Sequence, residues 1–355
     1  MSELAGALVA ARFGAATVVE LAALPTPILV LGGQGYDNAG DEAMLDGLLR
    51  ILGRDMVSVV SRRPEHTASL HKVRTVGPAG LPLALLRHRT LLIGGGALFG
   101  RDMGILGRLL PFVGLVALAV GRTVALAGIG VDDETPRVMR PFLALLGRRA
   151  RLVQVRDRAS VAFLAGLGVA SSFAPDFSEF VEPASPETGW AVLEAAGVPV
   201  GQPVVGLALT AVEPILAAKV EAAMGQWLAA YPGASFVLIP TSRHPFVKSH
   251  DDLVFARRLQ AANKRLFVVP GPLAPATMLA LMGRFDAVVA MRYHALHFAR
   301  RAGVPVVPLA YAPKCLAWCA DEGVPPASVD SIVARLEVAL SAAAALDVMP
   351  TGGSR

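Results

Sequence analysis

The chain has 355 residues, 54% of them hydrophobic and 17% charged, a balance that excludes extended disorder and leaves length for two domains with separate cores. Its formal charge of +5 comes from scattered arginines with no interleaved aromatics, which argues against nucleic acid and suits acidic metabolites or anionic glycans. The two cysteines, Cys315 and Cys319, have no second pair to complete a zinc site and read as buried thiols in a reducing compartment.

Residues 1–24 carry Glu3, Arg12 and Glu20 and lack the basic start and apolar core of a signal peptide. The apolar run 109–120 is cut by Gly121-Arg122, short of the ~20 residues a membrane span needs. A cytoplasmic protein is expected. Short apolar and β-branched runs at 28–31, 57–60, 91–93, 124–127 and 152–155 predict buried parallel strands. Between them, 41–52 and 136–146 repeat their apolar residues at three and four, as helices do. A Pro-rich polar break at 182–187 predicts a linker and the entry to the second domain over 182–200. The alternation then restarts, with strands expected at 204–209, 236–239, 266–269, 287–290 and 304–307. Helices are expected at 214–231, 250–262, 274–283 and 329–346. Two βα-alternating halves, 1–181 and 201–355, predict an α/β protein with two Rossmann-like domains facing across a cleft.

Polar residues cluster where these strands end. Gly32-Gly33-Gln34-Gly35-Tyr36-Asp37-Asn38-Ala39-Gly40-Asp41-Glu42 follows the first strand and opens a helix. Its glycine spacing departs from a dinucleotide fingerprint. Asp41 is expected to cap the helix and Asn38 to touch substrate. Gly94-Gly95-Gly96 and Gly128-Ile129-Gly130 fit either loops of amide donors for a small ligand or tight strand-to-helix turns. Arg156 is placed at a strand tip, with Asp157 or Ser160 capping the helix after it. Asp176 either orients a site residue or begins a turn. Thr241-Ser242-Arg243-His244 offers hydroxyls and a cation at another strand end.

Met291-Arg292-Tyr293-His294-Ala295 delivers a guanidinium and an imidazole to the end of the 287–290 strand. Arginine can hold a phosphate or carboxylate through two parallel hydrogen bonds, and histidine can move a proton near neutral pH. His297, one helical turn on, either joins that site or packs beneath it. His66, His71, His88 and His250 read as surface residues. No Ser–His–Asp order, HExxH or Walker motif is present.

Taken in order, Gly35-Tyr36-Asp37-Asn38-Ala39-Gly40-Asp41-Glu42-Ala43, Gly94-Gly95-Gly96, Arg156-Asp157-Arg158-Ala159-Ser160, Ala174-Pro175-Asp176 and Met291-Arg292-Tyr293-His294-Ala295 resemble the motifs of the polysaccharide pyruvyl transferases. Many members carry Ala-Asp-Pro where this chain has Ala174-Pro175-Asp176. The resemblance implies a GT-B-like fold and transfer of a pyruvyl group from phosphoenolpyruvate to a glycan or lipid-linked saccharide, without metal or cofactor. It further implies that Arg292 and His294 contact the donor, with His294 as acid–base group, and that Arg156 and Asn38 complete the pocket. Asp41, Gly95, Gly96 and Tyr293 are expected to line the substrate site with Arg243. Acceptor recognition is expected in the loops 62–72, 101–108 and 241–252. A cytoplasmic location is implied, with peripheral attachment to the inner face of the membrane and the oligomeric state both left open. The alternatives are a GT-B glycosyltransferase using a nucleotide sugar, or a non-catalytic relative that binds glycan.

Overall fold

The computed structural model describes residues 15–99, 104–244 and 247–348. Parts of two predicted acceptor loops, residues 101–103 and 245–246, lie outside the described residues. Chain contacts divide the molecule into two units, one of Met1–Tyr36 with Asp41–Val181 and the other of Asp37–Gly40 with Glu182–Arg355.

The first unit begins with α1 (Ala15–Ala22), β1 (Ile28–Leu31), α2 (Ala39–Leu52), β2 (Val57–Val60), α3 (Pro64–His71), β3 (Arg74–Val76) and α4 (Leu81–Arg87). It continues through β4 (Thr90–Phe99), α5 (Gly104–Ala119), β5 (Thr123–Val131), α6 (Arg140–Arg149), β6 (Leu152–Val155), α7 (Arg158–Gly166) and β7 (Ser172–Phe173). All strands pair in parallel, in the order β3-β2-β1-β4-β5-β6-β7. Both faces of the sheet are covered, which is why its central strands are continuously apolar. In β1, Leu29 and Leu31 feed a core shared with α4, α5, α6 and α7, while Ile28 and Val30 feed an opposite core with α2. Burying each such side chain contributes roughly 1.5–3 kcal/mol.

The second unit contains α8 (Pro186–Ala195), β8 (Val204–Ala208), α9 (Pro214–Ala230), β9 (Ser235–Leu238), α10 (Asp252–Ala262), β10 (Leu266–Val268) and α11 (Pro275–Met282). There follow β11 (Ala287–Ala290), α12 (Tyr293–Arg301), β12 (Val306–Pro308), α13 (Pro313–Glu322) and α14 (Ile332–Val348). Its parallel sheet runs β10-β9-β8-β11-β12. Val205, Leu207, Val289 and Val307 pack there against Met224 and Trp227 of α9 and Leu336 of α14. Two parallel α/β units confirm the GT-B-like class.

Within 182–200, the expected linker and entry to the second domain, Pro186 starts α8, where a missing N–H costs nothing, and Gly189 of that helix lies against the Ala280 carbonyl of α11. Two other expectations need correction. Gly94-Gly95-Gly96 and Gly128-Ile129-Gly130 are neither loops nor turns. They lie within β4 and β5, which stay paired as far as Phe99 and Val131 with a register shift on the way. Residues 37–40 are grouped with the second unit, although the chain enters α2 of the first directly after them.

Candidate functional site

In each sheet the chain turns back at one place, between β1 and β4 in the first and between β8 and β11 in the second. Ligands of open parallel sheets collect beyond the strand carboxyl ends at such points, because the flanking connections diverge to opposite faces and leave a crevice. The sequence places a glycine-rich segment at the first and Arg292 with His294 at the second.

In the second unit, β11 ends at Ala290 and Arg292 takes the N-cap position of α12. The positive end of the helix dipole therefore lies beside the guanidinium, a setting that favours an anion. Arg292 Nη2 donates to Asp252 Oδ1 at 2.7 Å. Asp252 is 2% exposed, and its other oxygen accepts from the Ser242 amide at 2.9 Å and the Thr241 hydroxyl at 3.2 Å. Burial works against the charge on Arg292, but the Asp252 carboxylate outweighs it and holds the guanidinium above its ordinary value. Arg292 Nε is buried with no hydrogen-bond partner among the described residues. One edge of the guanidinium is thus anchored, and a buried N–H remains to meet an incoming oxygen.

His294, half-buried in the first turn of α12, stands edge-on to Tyr293 with ring centroids 5.1 Å apart. A Cβ built on Gly40 would lie 1.7 Å from its Nδ1, so the imidazole occupies space that only glycine leaves open. Gly40 is held there by its own segment. The Ala39 amide donates to the Thr241 carbonyl at 2.8 Å, the Arg243 amide donates to the Asp37 carbonyl at 3.0 Å, and Asn38 bridges Ser242. Asn38 Oδ1 accepts from the Gly40 amide at 3.0 Å, so Asn38 caps α2 and Asp41, two residues inside the helix, does not. Arg243 Nε donates to Asp251 at 2.9 Å and its Nη1 to the Gly271 carbonyl at 3.2 Å. His297 is buried under Tyr293 and Phe298. The structure therefore brings Asn38, Arg243, Arg292, Tyr293 and His294 into one neighbourhood and adds Asp252 to it.

The first unit gathers Asp41, Gly95 and Gly96 at the β1–β4 crevice. A Cβ on Gly33 would come within 2.9 Å of Asp41 Oδ2, and one on Gly96 within 2.7 Å of Oδ1, so the carboxylate is seated between two glycines. Gln34, 1% exposed, folds over Gly32 and Gly95, and neither amide atom has a partner among the described residues. Arg156 lies elsewhere in this unit, at the tip of β6. Its Nη1 is 3.5 Å from Asp176 Oδ2, with both side chains 3% exposed. Asp176 Oδ1 also accepts from the Ser178 amide and hydroxyl at 3.0 and 2.6 Å. Asp176 thus starts a turn and also orients Arg156. Asp157 caps α7 by accepting from the Ser160 amide at 2.7 Å.

One histidine expected at the surface is buried. His71 is 2% exposed, and its Nε2 lies 2.7 Å from Glu42, whose other oxygen accepts from the Gly35 amide at 3.2 Å. Burial opposes its charge, but Asp46 and Glu42 together raise it above the usual histidine range. Asp46 in turn is lowered against burial by His71 and Arg50. Both thiols are buried, and burial pushes each up.

The family model for polysaccharide pyruvyl transferase matches residues 38–313, the stretch that carries nearly all of these groups. No curated protein matches the sequence significantly. Among solved structures, Anabaena Alr3699/HepE in complex with UDP-glucose is 14% identical, with 91% of this chain and 100% of that one covered and a TM-score of 0.55. A putative UDP-N-acetylglucosamine 2-epimerase from Listeria monocytogenes is 12% identical, with 88% of each chain covered and a TM-score of 0.59. MnaA of S. aureus, solved with UDP, is 13% identical, covering 91% of this chain and 88% of its own, with a TM-score of 0.57. At these identities the likeness is one of fold.

Proposed function

The chain belongs to the polysaccharide pyruvyl transferase family and is a transferase, and from that premise we propose that it moves the enolpyruvyl unit of phosphoenolpyruvate onto two hydroxyls of a sugar. The product is a pyruvate ketal on a cell-surface polysaccharide or its lipid-linked precursor. The single observation that carries this reading is Arg292, anchored by Asp252 with a buried N–H to spare, two residues from an imidazole seated on Gly40. Phosphoenolpyruvate carries a carboxylate and a phosphate, and either would be costly to bury without a cation. Charge-assisted hydrogen bonds from Arg292 offset that cost. Arg156, fixed by Asp176, is the first unit's candidate for an anionic substrate group.

In this proposal His294 acts as general acid. A proton reaches the methylene carbon of the donor, leaving an oxocarbenium-like centre that one sugar hydroxyl attacks. Phosphate departs, and the second hydroxyl closes the ketal. Of the two hydroxyl protons released, one balances the new methyl group and the other leaves on phosphate. Asn38 and Tyr293 are assigned to the donor side and Asp41, Gly95 and Gly96 to the acceptor, with Arg243 holding the loop beside Asp251. The donor is a cytosolic metabolite, which locates the reaction in the cytoplasm.

The test is phosphate release from phosphoenolpyruvate with sugar acceptors. His294→Ala is expected to lose ~10²–10⁴-fold in turnover while keeping donor affinity, the usual range for general acid–base catalysis. Unchanged turnover would remove His294 from this role. The UDP-glucose complex of a similarly folded protein favours one second reading, a nucleotide-sugar glycosyltransferase. A ligand that binds only the native state raises its melting temperature. A rise with UDP-glucose and none with phosphoenolpyruvate would select that reading.

A further inference from the structure

On the face of the first sheet covered by α4, α5 and α6, apolar side chains stand in solvent. Leu109, Phe112 and Val116 of α5, with Val120 just beyond it, are between 39% and 54% exposed. Their spacing of three, four and four places them in a single stripe along the helix. The stripe continues sideways onto α6, because Phe112 meets Phe142 with ring centroids 4.6 Å apart, and Leu145 of α6 is 42% exposed. Monomeric proteins seldom leave a contiguous apolar surface of this kind without a partner for it.

The charge carried by these three helices is of one sign. The segments 81–89, 104–122 and 137–151 contain nine arginines and no Asp or Glu. The helices run back to the amino ends of the adjacent strands β4, β5 and β6, so the basic last turns of α4 and α6, and Arg122 beyond α5, lie toward the same end of the sheet. Backbone pairing fixes this. The Arg89 carbonyl accepts from the Thr123 amide at 3.0 Å, and the Arg151 amide donates to the Val124 carbonyl at 2.8 Å. Arg87, Arg89, Arg149 and Arg151 are exposed there, beside the outward-facing Leu86, Val116 and Leu145. Helix-dipole compensation accounts for a cation in a last turn. It does not account for Arg89 and Arg151 beyond the helices, for the missing acids, or for the apolar stripe.

We propose that this face docks on an anionic lipid surface, with the α5 stripe entering the interface and the arginine edge meeting the headgroups. An apolar helix face flanked by cations is the arrangement that holds interfacial helices to such surfaces. No helix among the described residues is long and apolar enough to cross a membrane, so the contact is peripheral. A second copy fits poorly, since it would bring the arginine edge against another of the same sign.

The docking does not rest on the pyruvyl chemistry, and its test needs no turnover. The full chain is sedimented with phosphatidylcholine vesicles, with and without phosphatidylglycerol, at low and high salt. It is expected to pellet with the anionic vesicles and to be released by salt. Arg87→Glu/Arg149→Glu is expected to weaken binding by at least roughly tenfold, since each arginine near the surface contributes about fivefold. Val116→Glu/Val120→Glu is expected to weaken it as well, with an unchanged melting temperature because these positions are exposed. Failure to pellet, equal pelleting with neutral vesicles, or variants that pellet like the parent would each overturn the proposal. Binding without activity would leave it standing and count against the function alone.

Discussion

The two crevices at the strand-order reversals are built on the same topology and present opposite chemistry. In the first, an aspartate is wedged between Gly33 and Gly96, with a buried amide at Gln34 beside it. In the second, an arginine and a histidine stand at a helix N-terminus, with Asp252 buried behind the arginine. Acceptor-rich oxygen suits a neutral ligand with hydroxyls to donate, and a buried cation suits an anion. The difference comes from the glycines at the end of β1 and within β4, which seat Asp41, and from the start of α12, which presents Arg292 and His294.

Substitutions can sharpen or break that contrast. The largest effect is expected at Gly40→Ala. Its Cβ would displace the His294 ring, so turnover should fall by about 10²–10⁴-fold, as for His294→Ala, with donor affinity retained. A fully active Gly40→Ala would show that the imidazole need not stay in place. Asp252→Asn leaves the Arg292 charge without its partner and should destabilise the protein by about 3 kcal/mol, read from chemical denaturation, besides weakening phosphoenolpyruvate binding. Asp41→Asn should raise the acceptor KM about tenfold, roughly 1.4 kcal/mol, and leave donor affinity alone. If donor affinity falls instead, the division of labour between the crevices is wrong.

The smallest effect expected is a change in pH dependence through His71. Its native value lies above the usual 6.5, so its stabilising contribution is complete below about 6.5 and disappears as pH rises through the raised value. Asp46 runs the other way, contributing above its ordinary 3.8 and failing as pH falls through the lowered value. His71→Gln should cost about 1 kcal/mol below pH ~6.5 and flatten the decline above it, as measured by urea denaturation across pH.

The central strands are legible in the sequence because strands buried on both faces are continuous apolar runs, and 28–31, 57–60, 152–155 and 287–290 are observed as predicted. The edge strands β3 and β7 are not, being three and two residues long and partly exposed, with no run to read. Pro186 reads as a break because proline interrupts helices, although at a first turn it begins them. Arg292, His294 and Asn38 stand out as polar groups at strand ends. Asp252 does not, because it lies 40 residues from Arg292 and looks like any acid at a helix start. His71 escapes notice for the same reason, since Glu42, 29 residues away, is what makes its burial tolerable. Pairings of this range are set by the fold and leave no local pattern.

The most direct measurement is a crystal structure with phosphoenolpyruvate bound. The account predicts a donor oxygen within hydrogen-bonding distance of Arg292 and the His294 ring beside the donor, with Asp252 still paired to the arginine. Phosphoenolpyruvate bound away from Arg292 and His294 would contradict it.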